Sequence, residues 1–201
     1  MFDQRVLEAS RGLLGALAGR LVALGIKADQ VSWFGFAVGL GAVPFIAMQH
    51  AGWALPFIFL NRVLDGVDGA LARRVGATDR GAFLDISLDF LFYSAIPLAF
   101  AIADPAANAL AAALLIYAFV GTGSTFLAFA VIAAKRGLAS TAYPGKGFYY
   151  LGGLTEATET IAVFAAMCLF PAWFVPLACV FAALCGMTTI ARIVAGLRAF
   201  K

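Results

Sequence analysis

Residues 65–89 read Asp65-Gly-Val-Asp68-Gly69-Ala-Leu-Ala72-Arg73-Arg74-Val-Gly-Ala-Thr78-Asp79-Arg80-Gly81-Ala-Phe-Leu-Asp85-Ile-Ser-Leu-Asp89. Asp65 and Asp68 are three apart, and Asp85 and Asp89 are four apart. Residues at those spacings share one face of an α-helix. Apolar residues fill most of the remaining positions, while Gly76, Thr78 and Gly81 interrupt the pattern. The stretch therefore reads as two helices joined by a short turn, expected to be antiparallel neighbours. Each carries a carboxylate stripe, and both stripes can face one cavity.

The surroundings of this stretch fix its solvent. The chain has 201 residues, of which 63% are hydrophobic and only 12% charged, and its mean hydropathy is +0.95. Soluble domains carry about 25% charged residues. Lipid is therefore the solvent for most of the protein, and each spanning helix needs about 20 apolar residues. Six spans are read, near 31–48, 53–73, 82–103, 108–134, 150–170 and 173–192. The fold class is an all-α integral membrane protein: six transmembrane helices preceded by an N-terminal amphipathic surface helix. Residues 1–201 form one domain, with 1–28 as the surface helix and 29–201 as the six-helix bundle.

Asp3, Arg5, Glu8 and Arg11 break up the N-terminus, so a signal peptide is not expected there. Val6, Leu13, Leu14, Leu17, Leu21 and Leu24 recur at helical spacings, with Arg5, Arg11, Arg20 and Lys27 between them. That pattern suits a helix lying on a membrane surface. Lys and Arg are absent from 49–52, 104–107 and 171–172 and concentrate at both termini, in 74–81 and in 135–149. The positive-inside bias places both termini, and the aspartate-bearing helix ends, in the cytoplasm. The setting is an integral membrane protein of a bacterial inner or cell membrane. A net charge of +3 suits anionic lipid and polyphosphate and argues against nucleic acid as a partner. The 19 Phe and three Trp read as lipid-facing bulk and interface anchors.

A carboxylate within a membrane helix is costly and marks a functional site by default. Pairing with Arg62, Arg73, Arg74 or Arg80 would account for one or two aspartates, but not for two same-face pairs flanked by glycines. Carboxylate oxygens suit hard cations such as Mg²⁺, which keeps water and substrate phosphate in its shell. Four carboxylates suffice for two ions. Gly69 and Gly81 let a ligand approach the backbone, Ala72 keeps the stripe open, and Arg73 can fork onto phosphate oxygens. Thr78 adds a hydroxyl near the cavity mouth. Cys168, Cys179 and Cys185 lack metal-site spacing and read as packing residues. His50, the one histidine, falls in an outer connection, so neither zinc nor a histidine base is expected.

These residues resemble the signature of the CDP-alcohol phosphotransferase family, D-x2-D-G-x2-A-R-x8-G-x3-D-x3-D. All eight fixed positions are present, from Asp65 to Asp89, and the one departure is a spacer of seven residues between Arg73 and Gly81. The resemblance implies transfer of a phosphoalcohol from a CDP-linked donor, here a CDP-diacylglycerol type, to a small polar or lipid alcohol, with release of CMP. It implies two Mg²⁺ or Mn²⁺ ions on Asp65, Asp68 and Asp85. Asp89 is then the general base and also a metal contact. Gly69 and Arg73 would touch the CDP moiety with help from Thr78, and the opening of the first span, Asp29-Gln-Val-Ser32, would contribute as well. A homodimer is implied too.

The acceptor is less legible. Pro97 follows Asp89 by eight residues, as in serine-accepting members, but the Ser-Phe-Gly of that branch is missing. Phe90 stands where glycerophosphate-accepting members often have lysine. An inositol phosphate would need basic residues, and Arg62, Lys135, Arg136 and Lys146 are the candidates. Glu156 and Glu159, three apart, either bind a cationic or hydroxylated acceptor beside Tyr149 or Tyr150, or pair with Arg62 or Lys146. Thr122, Ser124 and Thr125 read as packing or interhelical hydrogen bonds. Two other readings compete. A prenyltransferase would place its aspartate motifs in separate halves of a larger bundle. A cation transporter would show interrupted helices and repeated halves, and neither is read here.

Overall fold

Prolines, glycines and short polar side chains mark most helix boundaries in this chain. The computed structural model describes residues 2–137 and 155–201, with side chains from Gly12 onward. Lys146, Tyr149 and Tyr150 lie outside the described residues, as does the opening of the fifth expected span. The helices are α1 (Phe2–Ala23), α2 (Ala28–Leu40), α3 (Ala42–Ala47), α4 (Leu55–Val75), α5 (Asp79–Ala103), α6 (Pro105–Lys135), α7 (Ala157–Leu169) and α8 (Phe174–Ala199). Short 3₁₀ turns, Ala51–Ala54 and Pro171–Trp173, lead into α4 and α8. No strand occurs among the described residues.

Local chemistry explains the ends. Pro56 and Pro105 occupy first-turn positions, where the missing N–H costs nothing. The Asp104 carboxylate accepts from the Ala107 N–H at 3.1 Å and caps α6. Gly76 ends α4 at φ 102°, a conformation that favours glycine. The first expected span is not continuous: α2 ends at Leu40 and α3 begins at Ala42. Pro44 is the cause, because its ring excludes the carbonyl four residues back, that of Leu40. Gly41 instead bonds the Val38 carbonyl at 2.9 Å.

The expected direct pairing of α4 with α5 needs correction. These helices share little backbone contact, and α2 packs on both. Two glycines make that possible. A Cβ on Gly35 would lie 3.0 Å from Leu64 Cβ, and one on Gly39 would lie 2.9 Å from both Asn61 Nδ2 and Phe92 Cε2. Small residues of this kind let helix backbones approach in a membrane. Asn61 is buried here, its amide donating to the Gly35 carbonyl at 3.0 Å. With α2 wedged against them, α4 and α5 diverge and leave room between their carboxylate faces.

The main core is aromatic. Phe92, Phe119, Phe164 and Phe181 meet edge to face, and Phe100 stacks on Phe174 with centroids 4.4 Å apart. A second core seats α1 on α4 through Leu14, Ala18, Val67, Ala70 and Leu71. A Cβ on Gly66 would come 3.0 Å from Leu14 Cδ1, so the glycine beside Asp65 forms part of this seat. Among the described residues, four stretches are long and apolar enough to cross a membrane: Ala28–Ala47, Asp79–Ala103, Pro105–Lys135 and Pro171–Ala199. Helix α4 has 21 residues but carries Arg62, Asp65, Asp68, Arg73 and Arg74, and α7 has 13 residues. Trp53 and Trp173 are exposed in the two 3₁₀ turns, where interface anchors belong.

Candidate active site

The carboxylates of α4 and α5 converge. Asp65, Asp68 and Asp85 each present an oxygen, and these oxygens lie within 4.8 Å of one another. Asp68 is buried, Asp65 half-buried and Asp85 exposed. Beside them is a small cavity of about 20 Å³, which Asp89 and Ser32 also line. The Ser32 hydroxyl donates to Asp68 Oδ2 at 2.6 Å, a short bond that fixes the orientation of this side chain. Arg62, one turn before Asp65, pairs with the Asp65 carboxylate. The donor set is all hard carboxylate oxygen beside room for about one water-sized guest, which fits Mg²⁺ or Mn²⁺.

A larger cavity of about 270 Å³ opens from this cluster. Asp65, Asp85 and Asp89 line it together with Gly69 and Arg73. The Arg73 guanidinium reaches over Gly69, where a Cβ would lie 3.4 Å from its Nη1. The Tyr93 hydroxyl is 3.4 Å from Asp89 Oδ2. A hydroxyl arriving between Asp89 and the cluster would meet the Asp89 carboxylate and a group of carboxylates that could hold a metal ion.

The remaining motif residues stand around the mouth. Thr78 is the N-cap of α5, its hydroxyl accepting from the Gly81 N–H at 3.0 Å. A Cβ on Gly81 would lie 3.2 Å from Thr78 Oγ1 and 3.6 Å from Asp29 Oδ1. Asp29 pairs with Arg80 at 3.0 Å. Ala72 is half-buried and lines neither cavity, and Asp29, Thr78 and Gly81 line neither as well. The structure thus gathers Ser32, Asp65, Asp68, Gly69, Arg73, Asp85 and Asp89, and leaves those four at its edge.

A sequence profile of the CDP-alcohol phosphatidyltransferase family matches residues 26–196. The chain belongs to this family. Its members are transferases of phosphate-containing groups, and this assignment covers both aspartate pairs and the whole bundle. The chain is 52% identical over 204 residues to the inner membrane protein YnjF of Escherichia coli, spanning 100% of this chain and 98% of that one. It is 29% identical over 174 residues to a phosphatidylinositol phosphate synthase of Mycobacteroides abscessus, spanning 83% and 73%. Two structures of a Mycobacterium tuberculosis phosphatidylinositol phosphate synthase share the fold at 20% identity. The one with manganese and citrate gives a TM-score of 0.73, covering 92% of this chain and 88% of that one. The one with CDP-DAG gives 0.68, covering 91% and 92%.

The far wall of the larger cavity belongs to α6, α7 and α8, and sequence reasoning covered it only in part. Arg192 lines it, bonding the Thr122 carbonyl at 2.9 Å and lying over the Phe126 ring at 5.6 Å. It was missed because it ends an apolar run and reads as a flanking charge. An arginine about two turns inside a helix that continues to Ala199 was the available signal. The two glutamates separate. Glu159 caps α7, its carboxylate accepting from the Glu156 N–H at 3.1 Å, whereas Glu156 is buried on the cavity wall. Thr122, Ser124 and Thr125 bond carbonyls of their own helix, not of a neighbour. Of the basic candidates for a phosphorylated acceptor, Arg62 lines the cavity, while Arg136 is held at the Phe200 carbonyl.

Proposed function

We propose that this protein transfers a phosphatidyl group from a CDP-diacylglycerol-type donor to an alcohol, releasing CMP, in phospholipid synthesis. The observation that carries the reading is the convergence of Asp65, Asp68 and Asp85 within 4.8 Å, beside a cavity shared by Asp89 and Arg73. These aspartates, with Asp89 at their edge, would hold two Mg²⁺ or Mn²⁺ ions. Bound there, the cations neutralise the diphosphate and polarise the phosphorus under attack. Arg73, reaching over Gly69, forks onto diphosphate oxygens and steadies the leaving CMP. Ser32 holds Asp68 in place.

An alcohol is a poor nucleophile until a base takes its proton. Asp89 accepts that proton. The acceptor oxygen bonds to the phosphorus that carries the diacylglycerol, the bond from that phosphorus to the bridging oxygen breaks, and CMP departs with the electron pair. Asp29, Gly81, Ala72 and Thr78 shape the mouth through which the nucleotide enters.

Six spans fit this chemistry, with α4 crossing the membrane while its charged face lines the cavity. The Lys and Arg pattern directs the cavity to the cytoplasm, so donor and product keep their tails in the bilayer. Two copies of the chain form the working unit. The test is CMP release by purified protein in detergent, with CDP-diacylglycerol, Mg²⁺ or Mn²⁺, and a panel of alcohols. Metal-dependent CMP release that is lost on chelation is expected, and neither a diphosphate prenyltransferase nor a cation transporter would give it. Acceptor-driven CMP release that persists in full after chelation would sink the metal assignment.

A further inference from the structure

Phe90 follows Asp89 on α5, and its ring lies against α6. The contact is at Gly123, a buried residue of α6. A Cβ there would lie 2.8 Å from Cε1 of the ring, 3.0 Å from Cζ and 3.2 Å from Cδ1. Carbon atoms in ordinary contact stand about 3.5–4.0 Å apart. The ring thus takes the space of a side chain that α6 lacks. Thr122 and Phe126 line the larger cavity and Gly123 does not, whereas Phe90 does. The ring covers Gly123 and forms the cavity surface at that point.

The other neighbours leave the ring little choice of place. Tyr93 meets it edge to face, with centroids 6.5 Å apart. Tyr93 is itself packed against Phe92, Phe119 and Phe164, all of them buried. A close-packed cluster of this kind does not yield to an incoming ring. The face of α5 that carries Phe90 also carries Asp85, Ile86 and Asp89, and these line the cavity. Helical side chains lean toward the preceding turn, here the turn of Ile86 and Asp89. A ring denied its seat on Gly123 would therefore swing over the space in front of Asp89.

We propose that Phe90, seated on Gly123, sets the width of the cavity in front of Asp89 and so limits the bulk of the alcohol that reaches it. Phe90 is the specificity-determining residue, and Gly123 positions it. The inference rests on the transfer reading above for the ligand being an alcohol, but not for the place of the ring. The filter is steric, so the charges that line the cavity, Arg62, Arg73 and Arg192 among them, do not enter it.

The test varies size at fixed charge. Purified full-length protein is assayed for CMP release from CDP-diacylglycerol with matched probes: glycerol and myo-inositol, glycerol 3-phosphate and inositol 1-phosphate, ethanolamine and choline, serine and homoserine. One misfitting methylene changes discrimination by roughly 10- to 200-fold. In whichever pair supports release, Phe90→Ala should raise the larger-to-smaller ratio of kcat/KM by about tenfold or more, and Gly123→Ala should lower it by as much. The double variant should match Phe90→Ala alone, because the ring is what the added methyl meets most closely. A general loss of stability would depress both members of a pair alike. An unchanged ratio in Phe90→Ala overturns the proposal, as does a Gly123→Ala defect that persists in full in the double variant. Where Gly123→Ala does not fold, the ratio in Phe90→Ala decides. If no alcohol gives CMP in any variant, the transfer reading fails and the crystal structure of Gly123→Ala decides: a ring turned into the cavity upholds the control of its width, and a ring still on α6 or turned toward lipid overturns it.

Discussion

The cavity has two walls of different origin. The near wall comes from the single stretch 65–89 on α4 and α5, braced by Ser32 of α2. The far wall draws Thr122, Glu156 and Arg192 from three helices spread over the second half of the chain. On the near wall, spacing along one helix fixes geometry, because carboxylates three or four apart must share a face. On the far wall no spacing rule connects the residues, and only the packing of α6 against α8 and of α7 against α4 brings them together. Under the proposed transfer the reacting carboxylates stand on the near wall, and the far wall is what an acceptor beside them would face. Variants on the two walls should therefore fail in different ways.

The largest effects belong to the near wall. Asp89→Asn keeps the side-chain shape but removes the base, so turnover should fall about 10²- to 10⁴-fold. Mn²⁺-dependent binding of CDP-diacylglycerol, followed by thermal stabilisation, should persist. Asp68→Asn should lose turnover and metal-dependent donor binding together, since Asp68 is buried within the cluster and held by Ser32. Normal turnover in Asp89→Asn would remove its role as base, and tight metal-dependent donor binding in Asp68→Asn would remove its role as ligand.

The far wall should answer through KM. Arg192→Ala removes the hydrogen bond to the Thr122 carbonyl that shapes this wall, and should raise acceptor KM about tenfold while leaving the donor KM alone. Arg192→Lys should not restore it, because a planar guanidinium serves both the Thr122 carbonyl and the Phe126 ring. Equal damage to donor and acceptor KM would erase the division between the walls.

The same contrast explains what was legible in the sequence. The aspartates, Gly69 and Arg73 were legible because one helical period orders them. The apolar stripe of the N-terminal helix was legible too, but it was read as facing the membrane surface, and its Leu14 packs against Val67 and Leu71 of α4. The break at Gly41 was missed although Pro44 announced it, because an apolar run of the right length outweighed one proline. The wedge of α2 between α4 and α5 was also missed. It follows from Gly35 and Gly39, and glycine in a strongly apolar segment does not say which neighbour it admits. Arg192 and Glu156 could be seen as intramembrane charges, but which of them shares a cavity is a property of tertiary packing alone.

Gly39 tests that wedge. A Cβ there meets Asn61 and Phe92 at 2.9 Å, whereas one on Gly186 of α8 meets nothing within 4 Å. Gly39→Ala should cost about 1–3 kcal/mol by overpacking, read as a lower midpoint of thermal unfolding in detergent. Gly186→Ala should be neutral or slightly stabilising, as expected for an open glycine within a helix. Equal responses would mean that α2 does not depend on this close approach.

The smallest expected effect concerns Thr78, the spacer residue nearest both a structural and a ligand role. As N-cap of α5 its hydroxyl accepts from the Gly81 N–H. Removing such a cap costs about 1 kcal/mol, so Thr78→Ala should lower stability by that much. Thr78→Ser and Thr78→Asp should both recover it, since either side chain can accept the same bond. Ligand contact makes a separate demand. An aspartate cap would repel an incoming diphosphate, whereas serine would not, so donor KM should rise in Thr78→Asp only if the side chain reaches the nucleotide. Unchanged donor KM across Ala, Ser and Asp would confine Thr78 to the turn. The near wall would then exclude the turn, which would serve to set the distance between the two carboxylate pairs.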